Sequence, residues 1–206
     1  MKPHRTRSDI KREAIINAAK QAFQTYGVNG TTMDKLAQVA QVSKRTVYNH
    51  FCTKEELVMY LIRELWSKTM LSVAASYSSV QPLQQQLQAL LRIEIDLFTG
   101  DEYLELARVA FGHFFYKTDK LRDEICQFTA QETVLHKWLK CAQDDGRLVM
   151  DDLQASIKEL GCLVRGHCFW PQLLKLEPPL SEEAKQRVAE RTAALFLSHY
   201  AVERPE

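Results

Sequence analysis

Between residues 31 and 57 the chain reads TTMDKLAQVAQVSKRTVYNHFCTKEEL, and the order of caps, apolar positions and turn residues there leaves little freedom in how it folds. Gly30 is a break, after which Thr31 or Thr32 caps a helix whose Met33, Leu36, Ala37 and Ala40 share one face. Gln41 and Val42 fit a connecting turn, with Val42 as the plug into the core, and Ser43 caps the next helix. In that helix Val47 and Phe51, four apart, must point inward, which turns Lys44, Arg45, Tyr48 and Asn49 outward toward a partner. Thr53 and Glu56 have capping-box spacing, so another helix starts there and aims its free amides and Lys54 at whatever lies alongside; a phosphate suits that spot. Two short helices, a tight turn and a capped third helix form the layout of a DNA reader.

Charge is placed to match. The whole chain of 206 residues is formally +1, but residues 1–60 hold ten Lys or Arg against five Asp or Glu, while the remainder holds seventeen against twenty-one. A head of +5 on a carrier of −4 suggests that one end meets a polyanion and the other does not. The opening residues MKPHRTRSDIKRE are basic and polar, so they are no secretory signal, and no apolar run is long enough to span a membrane. A cytoplasmic protein with no membrane partner is expected. Five cysteines (Cys52, Cys126, Cys141, Cys162, Cys168), odd in number and without CxxC spacing, argue against a disulfide framework or a zinc site.

The rest of the chain reads all-α. Ile15, Ala18, Ala19, Ala22, Phe23 and Tyr26 repeat at three-four spacing before Gly27 ends that helix. A longer helix is expected over residues 54–77, with Leu57, Leu61, Leu65 and Trp66 on its buried side. Further helices are expected over 83–98, 101–116, 119–144, 151–174 and 181–201, with breaks at SSVQP (78–82), Gly100, Gly146 and the Pro178–Pro179 pair. Pro171 predicts a kink or an early end to its helix. The expected organisation is a three-helix helix-turn-helix domain with a basic arm over residues 1–53 and a larger helical domain over 54–206.

Residues 27–57 closely resemble the amino-terminal helix-turn-helix of TetR/AcrR-type bacterial transcriptional regulators: a Thr pair (Thr31, Thr32), an Ala-rich helix (36–40), Val42 and Ser43, then Tyr48, His50, Phe51, Lys54, Glu55 and Leu57. Arg45 sits where many members carry glycine, so operator preference does not transfer from them. RLVMDD at 147–152 and CFWPQLL at 168–174 resemble the AefR-like branch. The resemblance implies phosphate contacts from Thr31 or Thr32, Tyr48, His50 and Lys54, and base reading by Lys44, Arg45 and Asn49, with Thr46 suited to either. His50 beside Phe51 also reads as a packed core residue, and Tyr48 as rim packing. Arg5, Arg7, Lys11 and Arg12 read either as an arm reaching phosphate or minor groove, or as a solvated tail.

The resemblance further implies a homodimer and an effector cavity in the second domain. Candidate lining residues are Trp66, Met70, Phe111, His113, Phe114, Phe115, Trp138 and Phe169, which favour an apolar, small-molecule effector, although most such residues are ordinary core. For the dimer face, Leu160 and Val164 in one helix and Val188, Thr192, Phe196 and Tyr200 in the last offer matching stripes. Periodicity alone divides these evenly between a partner chain and the chain's own core; the need for two readers on a two-fold axis tips the balance.

The expected function is a sequence-specific transcriptional regulator binding double-stranded DNA, a homodimeric repressor released by an apolar ligand. An enzyme is not expected: there is no phosphate loop, G-x-S-x-G or HExxH, and no cofactor or metal is implied. Two alternatives keep the fold, a ligand-independent DNA-binding scaffold and a thiol sensor using Cys126, Cys162 or Cys168.

Overall fold

Reciprocal capping starts the first helix. In the computed structural model, which describes residues 6–71, 77–114 and 133–202, the Thr6 hydroxyl accepts from the Asp9 amide at 3.1 Å while the Asp9 carboxylate accepts from the Thr6 amide at 2.9 Å. This box fixes α1 (Arg7–Tyr26) and draws Arg7, Lys11 and Arg12 out of the expected arm into a helix; Arg5 lies outside the described residues. Arg12 is further committed, its guanidinium 4.4 Å from the Tyr60 ring centroid and 5.1 Å from that of Phe51.

Gly27, at φ 68°, ends α1. At Gly30 a Cβ would lie 2.3 Å from the Tyr26 carbonyl oxygen, so only glycine lets the chain turn there. Then follow α2 (Met33–Val39), α3 (Lys44–His50) and α4 (Lys54–Met70). The turn between α2 and α3 has Gln41 in the left-handed region at φ 53°, with the Gln41 amide donating to the Gln38 carbonyl and the Val42 amide to that of Ala37. Val42 is half-buried rather than a full plug.

One compact unit comprises residues 1–64 with 105–124, the other 65–104 with 125–206. The first takes in the opening turns of α4 because Leu57, Val58 and Leu61 are buried and Lys20 pairs with Glu64 at 2.6 Å.

In the second unit α5 (Leu83–Thr99) packs chiefly against the last helix, α10 (Glu182–Tyr200), with Leu87, Leu91, Ile95, Ala189 and Ala193 in the seam. α6 spans Asp101–Phe114. Of the expected helix over 119–144, residues 119–132 lie outside the described residues, and one continuous helix is corrected at Thr133, which is extended: its hydroxyl accepts from the His136 amide at 3.1 Å and caps α7 (Val134–Asp144). Arg147 holds the break before α5 by donating to the carbonyls of Ser78, Ser79 and Gln81.

The expected helix over 151–174 is three pieces: α8 (Leu153–Val164), a π-helical turn (Arg165–Phe169) and α9 (Trp170–Leu173). Pro171 explains the wide turn. It has no N–H to offer the carbonyl four residues back, and its ring would clash there; widening the preceding turn, with the Trp170 amide on the Arg165 carbonyl, carries the chain past it. Gly161 accommodates the guanidinium of Arg165, whose nearest atoms are 2.9 Å from where a Cβ would be. Among the described residues there is no strand, only a bridge between Leu148 and Ala201.

Candidate functional site

The reading face is built from α3 outward. Val47 is wholly buried and Phe51 is 2 % exposed, edge-on to Tyr60 with centroids 5.8 Å apart. With that side anchored inward, Lys44, Arg45, Tyr48 and Asn49 are exposed, as the spacing requires, while Thr46 and His50 are half-buried. Ser43 caps the helix by accepting from the Thr46 amide at 3.1 Å, and the two hydroxyls bond each other at 2.8 Å. Among the described residues Arg45 and Asn49 make no side-chain hydrogen bond or ion pair, so no internal contact has to break before they engage a partner.

Three of the expected contact residues are already engaged. Thr31 is buried, and its hydroxyl donates to the Gly27 carbonyl at 2.8 Å, which leaves Thr32 as the exposed member of the pair, capping α2 through the Lys35 amide. The Lys54 ammonium donates to the Val28 carbonyl at 2.9 Å, tying the loop after α1 to the start of α4. Sequence spacing gave no sign of it, because the two residues are 26 apart. Nearby, the capping pattern differs by one residue: Thr53 caps through the Glu56 amide, but the Glu56 carboxylate accepts from the Cys52 amide at 2.7 Å.

Lys44 is the third. Its ammonium lies 2.7 Å from the Asp34 carboxylate on α2, and that hydrogen bond and charge raise its pKa. Both side chains are well exposed, so the pair adds little to stability. The effect expected of it is on DNA affinity, since a carboxylate at Asp34 would repel phosphate and already holds the Lys44 ammonium. Asp34→Ala should raise affinity for all duplexes about three- to tenfold and steepen the salt dependence by about one counterion. Fluorescence anisotropy across a salt series checks this; an unchanged slope would contradict it.

In the second unit the expected pocket residues are scattered. Trp138 is core, 2 % exposed, with its indole N–H donating to the Gln86 carbonyl oxygen at 3.1 Å. Phe169 is buried against Phe98, Tyr103 and Trp170. Trp66 is half-buried; Phe111 is half-buried and belongs to the first unit. His113 and Phe114 fall in the last turn of α6, and Phe115 lies outside the described residues, as does Cys126. Among the described residues Met70 alone of the set lines a cavity of about 20 Å³. Thr69 and Met70 from α4, Leu90, Ile93 and Glu94 from α5, and Val134 and Leu135 from α7 enclose it.

Glu94 was not singled out by the sequence reading, although a signal was present: it lies four residues from both Leu90 and Phe98, on the face where α5 is otherwise buried. Burial pushes its carboxyl up to about 7, against the opposing pull of Arg165. Burial likewise pushes Tyr103 up to about 12. The Cys168 thiol is also raised to about 12 by burial and donates to the Val164 carbonyl, which keeps it protonated and inert.

A carboxyl whose folded pKa exceeds its unfolded one destabilises the fold once it must ionise. Its contribution is therefore fully present below about pH 4.5 and lost as pH rises to about 7. Glu94→Gln should gain stability relative to the natural chain across that window, levelling at about 3 kcal/mol above about pH 7. Urea denaturation at a series of pH values checks this, and a pH-independent difference would contradict it.

The stripes offered as a dimer face are mostly the chain's own. Leu160, Val164, Thr192 and Phe196 are buried within the unit, and Val188 is half-buried. Tyr200 closes its end by donating to the Glu159 carboxylate. The outer surface of α8 and α10 is a shallow groove where Leu195 is 57 % exposed and Leu163, Ser198 and His199 line the wall.

A capped reading helix with an outward polar face, on an all-helical carrier, defines a helix-turn-helix DNA-binding protein. Residues 15–61 match the tetR family of bacterial regulatory proteins, and residues 85–202 match the carboxy-terminal domain of AefR-like transcriptional repressors. The chain belongs to the TetR family of transcriptional regulators, which are not enzymes. A TetR family regulator from Pseudomonas syringae pv. tomato is 32 % identical, with a TM-score of 0.73 over 95 % of this chain and 99 % of that one. A putative TetR-family regulator from Mesorhizobium loti is 25 % identical, with a TM-score of 0.79 over 96 % and 100 %. The regulator BetI of Rhizobium meliloti is 24 % identical over 54 % of this chain and 53 % of its own; the chain spans about half the length, or less, of the first curated relatives it matches. No helix among the described residues is long and apolar enough to cross a membrane.

Proposed function

We propose that the chain is a homodimeric repressor that reads an operator with α3 and leaves it when a small effector binds the second unit. The observation that carries this is the division of α3 into a buried side, Val47 and Phe51, and an exposed polar side. Lys44, Arg45 and Asn49 are the base readers, with Thr46 beside them. Thr32, Tyr48 and His50 meet phosphate, and Lys54 does so only by sharing its ammonium with Val28. Two copies on a two-fold axis place their reading helices about one DNA turn, roughly 34 Å, apart.

The face for the twin is the outer groove of α8 and α10, with Leu195 at its centre, since the stripe beneath it is already used. α4 links effector to reader: Leu57 is buried in the first unit and Met70 walls the cavity in the second. To release DNA the effector must prefer the non-binding state by a few kcal/mol. Titrating a broad panel of apolar compounds into a fluorescent operator complex tests the reading; at least one should release DNA, and none doing so would overturn effector control.

One observation favours a second reading, a ligand-independent DNA-binding scaffold. Among the described residues the cavity walled by Met70 and Glu94 has room for about 20 Å³, little more than a water, against several hundred Å³ in ordinary ligand sites. The same titration separates the two. The thiol-sensor alternative loses Cys168 to burial, and unchanged DNA binding after peroxide treatment would remove it altogether.

A further inference from the structure

Among the described residues Glu94 is the one ionisable group on the cavity wall. Around it stand Met70, Leu90, Ile93, Val134 and Leu135, with Thr69 the only other polar side chain. Among the described residues Glu94 makes no hydrogen bond or ion pair. The guanidinium that attracts it, Arg165, lies folded over Gly161 and does not close on it as a salt bridge. Such a carboxylate weakens the fold when ionised, and a leucine would fill the same position on α5 without that cost.

We propose that the effector is an apolar amine: a protonated nitrogen on an aliphatic or aromatic body, with Glu94 as its counter-ion. This rests on the effector-controlled reading above. An apolar body matches the lining, and the cationic head supplies the partner that Glu94 lacks. Glu94 is half-buried, so a carboxylate-bearing ligand would bring like charge against it, and a neutral hydrocarbon would displace water from its carboxylate and offer no partner in return.

Entry requires the wall to move, because the cavity has room for about one water. That movement is assigned to the first turn of α7. Val134 and Leu135 sit directly after the Thr133 cap, and α7 packs chiefly on α8 rather than on α5. Trp138, one turn further on and bonded to Gln86 of α5, reports that movement by its fluorescence.

The test uses the full chain and two bodies with three heads each: decylamine, decanol and decanoate, and 1-naphthylmethylamine, 1-naphthylmethanol and 1-naphthoate, all below micellar concentrations. Calorimetry at about pH 8 should show each amine binding about tenfold or more tightly than its alcohol or acid. Glu94→Gln should remove that preference and leave alcohol binding within about twofold. Lowering the natural chain to about pH 5.5 should shrink the preference in the same way, as Glu94 takes a proton. The pH arm needs no variant, so the test survives a misfolded substitution.

An equal or greater affinity for the acids overturns the proposal, as does an amine preference that persists in Glu94→Gln. If an alcohol or acid binds best and releases operator DNA, effector control stands and only its chemistry is wrong. If none of these compounds binds, the amine proposal falls, and effector control is decided separately by the broader panel.

Discussion

Replacing Arg45 and Asn49 together by alanine is expected to cost about 2 to 6 kcal/mol of specific binding, while binding to unrelated duplexes changes far less. A guanidinium bidentate to guanine and a carboxamide bidentate to adenine each contribute about 1 to 3 kcal/mol of discrimination against wrong bases. Both side chains stand on the exposed side of α3 without internal hydrogen bonds among the described residues, so their loss leaves the fold untouched. Each single variant should relax sequence choice at its own position in the site. Competition binding against singly altered duplexes measures this, and an unaltered site preference would refute the assignment of base readers.

The second large effect lies beneath that face. Phe51→Ala should destabilise the first unit by about 3–5 kcal/mol, because the ring is 2 % exposed and the space it fills does not collapse freely. The ring also meets Tyr60 edge-on and lies under the Arg12 guanidinium, so its removal loosens α1 and α4 as well as α3. Urea denaturation followed by circular dichroism should show an early transition absent from the natural chain, and DNA binding should vanish at temperatures the natural chain tolerates. A cost below about 1 kcal/mol would mean that Phe51 does not hold the reading helix.

The two halves of the chain differed in how much local sequence revealed. In the head, Ser43, Thr32, Val47 and Phe51 act through neighbours three or four residues away, which is the range that capping and helical periodicity report. Lys54 on Val28 and Arg12 on Tyr60 join residues far apart in sequence, and the same cationic residue types looked equally suited to phosphate. In the carrier, Thr133 was hidden because an N-cap threonine has the composition of any polar helix position until its backbone is seen to be extended. Pro171 announced an irregularity, but a kink, an early end and a widened turn all satisfy a missing N–H, and only the Trp170 amide on the Arg165 carbonyl shows that the π turn was taken.

Periodicity also could not say which partner an apolar stripe meets. Leu160, Val164, Thr192 and Phe196 show the three-four spacing that either a twin or the chain's own α5 would satisfy, and here they are buried within the chain. The aromatic residues read as a pocket behave alike: Trp138 and Phe169 fill the core, while the informative residue is Glu94, a carboxylate on a buried face. A charge that interrupts an apolar stripe marks such a site better than the aromatics around it.

Selection of bound duplexes from a random pool, carried out with the natural chain and with the Arg45 and Asn49 variants, addresses the claim that the exposed side of α3 reads sequence. The natural chain should enrich one short motif as two inverted half-sites centred about one helical turn, roughly 34 Å, apart, and each variant should lose preference at one base pair of each half-site. No enrichment by the natural chain, or the same motif at full strength from both variants, would contradict it.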